Sequence, residues 1–331
     1  MSDLQELIAS VGALRRTLEG RGEKAPRTPP AAENSAEASA SVDPSSAIFS
    51  RLSNVDPARW LARLRERLPF PVPADVSREV DAFGLDPPYL ERARPLLDFL
   101  FDRWWRVHVS GLDRVPDSAR MLLVANRSGI LPYDGLMLAH AVERGHRAQR
   151  RPRLLAADKL MSGPFAQPML RRLGAVRACR ENAARLFDEG EWLSLFPEGG
   201  RGALKPYRQR YRLQRFECGE ILSLALRRRA PIVPVAIVGG EEIHPVALRP
   251  EKLERLLGTA LPLAPTLLLG PGALVPLPSQ WRIRFGSPLE VGDLDPASAE
   301  DPLTANRLSE RVRAAVGELL EDELERRDSV W

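Results

Sequence analysis

Val124-Ala-Asn-Arg-Ser-Gly-Ile-Leu-Pro-Tyr-Asp134 and Phe196-Pro-Glu-Gly-Gly-Arg-Gly202 are the two stretches whose reading decides the fold of this chain. Each follows a short apolar run, Met121-Leu-Leu-Val-Ala-Asn126 in one case and Glu191-Trp-Leu-Ser-Leu-Phe196 in the other. Each run breaks into a Gly/Pro turn, and a helical pattern begins beyond it. Strand, turn and helix in that order put functional groups at the carboxyl ends of strands in α/β proteins.

The pattern extends in both directions. After the strand 121–126 and a helix from Asp134, strands are predicted near 153–157, at Gly174-Ala-Val176, at 192–196 and at 232–238. Helices are predicted through Leu173, over 181–188 and over 216–228. Alternation of this kind specifies an α/β fold, a mainly parallel sheet flanked by helices. A strand at 281–285 and a helix from about residue 305 to 325 close the domain, which is assigned to residues 111–331. Residues 51–110 read as a helical lead-in, with Leu, Phe and Trp at helical spacing. Its aromatic residues Phe99, Phe101, Trp104 and Trp105 are expected in the core, although Trp beside Arg also suits a membrane interface.

The N-terminal residues 1–19 carry a capping-box pattern, Ser2-Asp-Leu-Gln5, and apolar residues at Leu4, Leu7, Ile8, Val11, Leu14 and Leu18. An amphipathic helix is predicted there, whose apolar face from 4 to 18 needs a helix partner, a second copy or a membrane surface. Residues 20–50, rich in Ala, Ser, Pro and Glu, are predicted to be a disordered linker.

With 331 residues, 44% of them hydrophobic, the chain can bury one large core of roughly 200 residues. Two cysteines, Cys179 and Cys218, make neither a disulfide framework nor a tetrahedral metal site, so no metal and no cofactor is expected and a reducing cytoplasm fits. The opening residues lack a basic region before an apolar core and do not read as a secretory signal. The most apolar stretch, Leu261 to Pro278, holds five prolines and cannot run as one spanning helix; it reads as an apolar loop under the core or at a bilayer surface.

The formal net charge of +4 conceals an asymmetry. Arg144 to Arg153 carries five arginines and no acid, Arg201 to Arg215 six basic residues and no acid, and Arg227-Arg-Arg229 adds three more. From Glu290 to Trp331, twelve acids face five arginines. A basic central domain points to anionic partners, and an anionic membrane surface satisfies it without a spanning helix. A solvated basic surface is the plainer alternative. Nucleic acid ranks behind both, because no reader module accompanies the charge. A serine-hydrolase elbow, a Walker-type phosphate loop, a metal-ligand cluster and a dinucleotide fingerprint are all missing from the sequence.

The two motifs resemble those of the glycerolipid acyltransferases, the lysophosphatidic-acid and glycerol-3-phosphate acyltransferase family. In that family the first motif is Asn-His with a spaced Asp, and the second is Phe-Pro-Glu-Gly-Thr-Arg. The likeness runs from about residue 82 to 331 and includes Leu173-Gly-Ala-Val176 and Ala230-Pro-Ile-Val-Pro-Val-Ala-Ile-Val-Gly239. It implies acyl transfer from an acyl-CoA or acyl-carrier-protein thioester, a substrate rather than a cofactor, to a glycerolipid or lysophospholipid hydroxyl. It also implies a peripheral protein on the cytoplasmic face of the membrane.

This chain departs from the pattern at the residue that does the chemistry. An acceptor hydroxyl attacking a thioester must lose its proton, and a neutral imidazole is suited to take it. Arg127 stands at the family's His position, and a guanidinium stays protonated. Loss of a general base removes about 10²- to 10⁴-fold of rate. Arg127 could instead hold a phosphate or carboxylate, or be a surface arginine accepted after function was lost. Asp134 remains, separated from position 127 by six residues instead of the commoner four, and is expected at the N-cap of its helix. His244, just beyond Gly239-Gly-Glu-Glu242, is the best replacement base; His140 should face away from the site.

In the second motif the resemblance implies that Arg201 binds the acceptor phosphate, with Glu198 and the turn Gly199-Gly200 shaping the site. Gly200 replaces the family's Thr and loses one hydroxyl donor. Lys205, one turn beyond Arg201, is expected to join it in an anion site. The alternative to an enzyme is an inactive, lipid-binding adaptor of the same fold that acts through its N-terminal helix.

Overall fold

A computed structural model describes residues 79–331 except 130, 162–165, 218, 247–275, 292–293 and 328–331. The predicted N-terminal helix, the linker, residues 51–78 of the lead-in and residues 261–275 of the apolar stretch lie outside the described residues. Those described all belong to one compact unit, Ala58–Trp331.

Seven strands form one sheet: β1 (His108–Ser110), β2 (Met121–Ala125), β3 (Arg153–Ala156), β4 (Ala175–Arg177), β5 (Trp192–Leu195), β6 (Ile232–Val238) and β7 (Arg282–Phe285). Their order across the sheet is β1-β7-β6-β2-β5-β3-β4. The run from β6 to β4 is parallel throughout, β6 and β7 pair antiparallel, and β1 runs parallel to β7. The helices are α1 (Pro87–Phe99), α2 (Tyr133–Gly145), α3 (Asp158–Met161), α4 (Ala166–Arg172), α5 (Arg180–Asp188), α6 (Gly199–Ala203), α7 (Gly219–Arg227) and α8 (Pro302–Glu325). The α/β fold with a mainly parallel, helix-flanked sheet is as the alternation required.

The central strands are buried on both faces, which is why they read as unbroken apolar runs. Successive side chains point to opposite layers. Met121, Leu123 and Ala125 of β2 join one core with α1 and α2, while Leu122 and Val124 join the other with α5, α7 and α8. Pro234 sits inside β6, where a proline ordinarily breaks a central strand. Its carbonyl accepts from Gly286 N (2.9 Å), so its missing N–H faces the β7 side just where the β6–β7 pairing ends at Val235 and Phe285. The β2 ladder on its other edge is left intact.

Two predicted features change. The lead-in contains β1, a strand of three residues, too short to show any alternation in sequence. Of the aromatic residues expected in the core, Trp105 is fully buried and stacks on Trp281 at 4.7 Å, whereas Phe99 is 48% exposed. The chain there passes from α1 into a single π-helical turn, Leu100–Trp104, which rotates the aromatic face so that Phe99 points outward.

Among the described residues no helix is long and apolar enough to cross a membrane. Phe187 is fully buried between α5 and the sheet. Phe187→Ala is expected to lower the unfolding free energy by about 3–5 kcal/mol, read from urea unfolding. A loss below 1 kcal/mol would contradict the packing described.

Candidate active site

Both motifs emerge at the carboxyl edge of adjacent parallel strands, the first after β2 and the second after β5. Asn126 sets the geometry of the first. Its side chain continues the β2 ladder beyond Ala125, donating through Nδ2 to the Ile237 carbonyl (2.9 Å) and accepting through Oδ1 from Ile237 N (2.7 Å). With that amide fully buried and satisfied, the next residue leaves the sheet in one direction only.

That residue is Arg127, which is 7% exposed. It is therefore not a surface arginine. Its backbone N–H donates to Glu198 Oε1 (2.8 Å), and its Nη1 donates to Asp134 Oδ1 (2.6 Å). The guanidinium also lies over the Phe196 ring, 5.6 Å from its centroid. Asp134 is fully buried and accepts further from Ser128 N (2.9 Å) and Gly135 N (2.8 Å). It does not cap its helix. Pro132 occupies the N-cap, and Asp134 lies within the first turn, where its side chain folds back on the preceding loop. Burial pushes the Asp134 carboxyl up, against the pull of the Arg127 guanidinium and the two amides.

Glu198 organises the second motif. Its Oε1 takes the Arg127 amide, its Oε2 takes Gln214 N (2.7 Å), and Lys205 Nζ lies 3.3 Å from Oε2. The chain then turns at Gly199, whose φ of +53° is left-handed. Gly202 follows in α6, where an added Cβ would come within 2.6 Å of Glu198 Cβ and 2.7 Å of Arg127 Cβ. Only glycine lets this turn rest against both motifs. Gly200 meets nothing where the family's threonine side chain would stand.

The expected pairing of Arg201 with Lys205 as one anion site does not form. Lys205 is buried and its Nζ is enclosed by Glu198 and Glu241 (2.9 Å), so its charge is spent within the fold. Arg201 is exposed and paired with Glu217 (3.1 Å). It shares an open cavity of about 310 Å³ with Arg215, Asn306 and Ser309. The physical reason is the length of α6, a single turn, after which the chain leaves helical geometry at Leu204 and carries Lys205 inward.

His244 is buried, with its ring nearly parallel to that of Tyr133, centroids 6.5 Å apart. Burial holds its imidazole below the usual range, so it is neutral near pH 7. His140 faces Asp98, 2.9 Å away, on the far side of α2 as its helical spacing required. No cluster of three or more His, Cys, Asp or Glu side chains suited to a metal occurs among the described residues.

Three further groups belong to this site. Glu241 accepts from Lys205 and from Tyr211 N (3.2 Å). Glu242 accepts from the Tyr211 hydroxyl (2.7 Å) and from both terminal nitrogens of Arg327 (2.6 Å each). The sequence signal for the two acids was their adjacency two glycines beyond the apolar strand 232–238, at a strand's carboxyl end, and Arg327 had none. Burial pushes Glu241 up to about 7, with Lys205 opposing and Glu198 adding to the rise.

Comparison with known proteins places this arrangement. The family model described as "Acyltransferase" matches residues 106–238, from the last turn before β1 to the end of β6. An uncharacterized protein of Mycobacterium tuberculosis (strain H37Rv) is 45% identical over 244 residues, covering 73% of this chain and 68% of its own. The chain belongs to the acyltransferase family. A similar uncharacterized protein of Mycobacterium leprae is 44% identical over 244 residues, 73% of this chain and 66% of its own. Among solved structures, the 1-acyl-sn-glycerophosphate (LPA) acyltransferase PlsC from Thermotoga maritima is similar, at 18% identity, a TM-score of 0.45, and coverage of 73% of this chain and 83% of that one. The region matched by the family model contains both motifs, Arg127 and Glu198 included.

Removing the Glu198 carboxylate strands the buried Arg127 amide and the half-buried Gln214 amide and leaves Lys205 with Glu241 as its one carboxylate. Glu198→Ala is expected to cost about 3 kcal/mol in urea unfolding. Glu241 binds its proton more tightly folded than unfolded, so between about pH 4.5 and 7 it makes stability fall as pH rises. Glu241→Gln removes that term. Its stability relative to wild type should climb between pH 5 and 7 by up to about 1.4 kcal/mol per pH unit, and parallel profiles would refute the assignment.

Proposed function

We propose that this protein transfers an acyl group from a thioester, of coenzyme A or of an acyl carrier protein, to the hydroxyl of a glycerolipid or lysophospholipid at the cytoplasmic face of the membrane. The observation that carries this reading is the 2.8 Å hydrogen bond from the Arg127 amide to Glu198, which joins the two acyltransferase motifs in one site. Arg201 and Arg215, facing a common cavity, supply positive charge for an anionic group on the acceptor.

In the reaction the acceptor oxygen attacks the thioester carbonyl carbon, the C–S bond breaks, and the acyl group moves to oxygen. With a guanidinium at the base position, the hydroxyl proton passes to the departing thiolate and not to a side chain of the first motif. Transfer is consequently slow, by the 10²- to 10⁴-fold that a general base typically contributes. The second reading, an inactive lipid-binding adaptor, is favoured by one observation: the Arg127–Asp134 ion pair fills the place of the base and its partner.

A labelled acyl thioester offered with a panel of lyso-acceptors separates the two. Arg127→His restores a titratable base beside Asp134 and is expected to raise transfer about tenfold or more. If wild type is active, His244→Ala abolishes transfer and Arg127→His changes nothing, the base is His244. If neither wild type nor Arg127→His transfers acyl groups while both bind lysophospholipid, the adaptor reading holds. Failure both to transfer and to bind would overturn both.

A further inference from the structure

The three arginine-rich stretches of the sequence have different fates in the fold. In the first, Arg144 is paired with Asp98 and Asp102, Arg147 with Asp117, Arg151 with Glu143 and Arg153 with Asp81. Arg150 donates to the carbonyl oxygens of Ala119 and Gly190. Four of the five arginines of that stretch are thus paired with carboxylates. In the third, Arg228 pairs with Asp188.

The second stretch behaves otherwise. Arg208, Arg210, Arg212 and Arg215 are exposed, and none makes an ion pair with a carboxylate among the described residues. Arg210 packs over the Tyr207 ring, 4.5 Å from its centroid. No acid occurs between Arg201 and Phe216.

The backbone that carries these cations is pinned at several points. Tyr207 N donates to the Val246 carbonyl (2.8 Å), Tyr211 N to Glu241 (3.2 Å) and Gln214 N to Glu198 (2.7 Å). Arg313 donates to the carbonyl oxygens of Leu213 and Gln214 (3.3 and 3.2 Å). The strap 206–215 therefore runs from the residues beyond β6, which hold Tyr207 and Tyr211, back to the carboxyl end of β5, where Gln214 meets Glu198, with these amides bonded to the fold and Arg208, Arg210, Arg212 and Arg215 exposed. At its far end lies the cavity with Asn306, and one helical turn before Asn306 on α8 is Leu303, 67% exposed.

We propose that the strap from Pro206 to Arg215 is the surface by which this protein docks on an anionic phospholipid bilayer. Four unneutralised guanidiniums in eight residues match a planar array of phosphates, which arginine grips in bidentate fashion. An exposed leucine at the same rim suits a bilayer, where an apolar side chain can sink below the headgroups, better than it suits a polar acidic protein. The strap adjoins Glu198 through the Gln214 amide, and Arg215 at its end lines the cavity proposed to take the anionic group of the acceptor. Only that last step rests on the acyl-transfer reading; the docking itself does not.

The test is co-sedimentation of the full chain with vesicles of equal parts phosphatidylcholine and phosphatidylglycerol. Each basic residue at an anionic surface contributes about a fivefold gain, so Arg208→Ala/Arg210→Ala/Arg212→Ala should weaken binding about 100-fold. The control, Arg147→Ala/Arg177→Ala/Arg185→Ala, removes the same net charge at carboxylate-paired positions and should change binding less than about threefold. Wild-type binding should fall steeply as salt rises to about 0.5 M and be absent on pure phosphatidylcholine. Melting temperatures of both variants within about 3 °C of wild type establish that they are folded.

Equal losses in the two triple variants would overturn the proposal. So would wild type that ignores anionic vesicles, or that binds an acidic acyl carrier protein through the strap and no vesicle. Acyl transfer to a lysophospholipid dispersed in detergent is measured alongside. Loss of vesicle binding with that transfer retained is the expected result for the strap variant, whereas absence of transfer in every protein speaks against the acyltransferase reading alone.

Discussion

One buried carboxylate holds this site together. Glu198 ends the turn after β5 and takes hydrogen bonds from the Arg127 amide and the Gln214 amide while lying 3.3 Å from the Lys205 ammonium. Those three contacts come from the first motif, the end of the strap and its beginning. A carboxylate withdrawn from water is tolerable only when its lone pairs are answered in this way. Because the donors are distant in sequence, satisfying the charge forces the loops after β2 and β5 into a single arrangement. The close approach of Gly202 to both Arg127 and Glu198 follows from that constraint.

The arginine at position 127 is accommodated by the same economy. A buried guanidinium needs an anion, and Asp134, shifted into the first turn of α2, supplies one at 2.6 Å. The helix N-terminus favours negative charge at that point. The pair is thus a structural unit at the end of β2. Asp134 accepts from Ser128 N and Gly135 N at the same time as it answers the guanidinium.

A chain of buried charges continues from this unit through Lys205, Glu241 and Tyr211 to Glu242 and Arg327, four residues from the end of the chain. The C-terminal segment therefore fixes loops that lie more than eighty residues earlier. Clusters that are equally basic by composition diverge for a related reason: wherever acids from α1, α2 or the preceding loops come within reach, arginine charge is consumed inside the fold. Among the described residues, no carboxylate pairs with Arg208, Arg210, Arg212 or Arg215 of the strap.

The sequence by itself determined the α/β alternation, the positions of β2, β5 and β6, and the two motifs at strand ends, because these depend on local periodicity and turn chemistry. It also marked Arg127 as the exceptional residue. It missed β1, which is too short to carry a pattern, and it joined Lys205 to Arg201 when the chain turns Lys205 inward. Which lysine is enclosed, which arginines are neutralised, and how Glu241, Glu242 and Arg327 reach the site were decided by tertiary structure alone. Each is a pairing between residues remote in the chain, and Coulomb and hydrogen-bond partners leave no periodic trace in sequence.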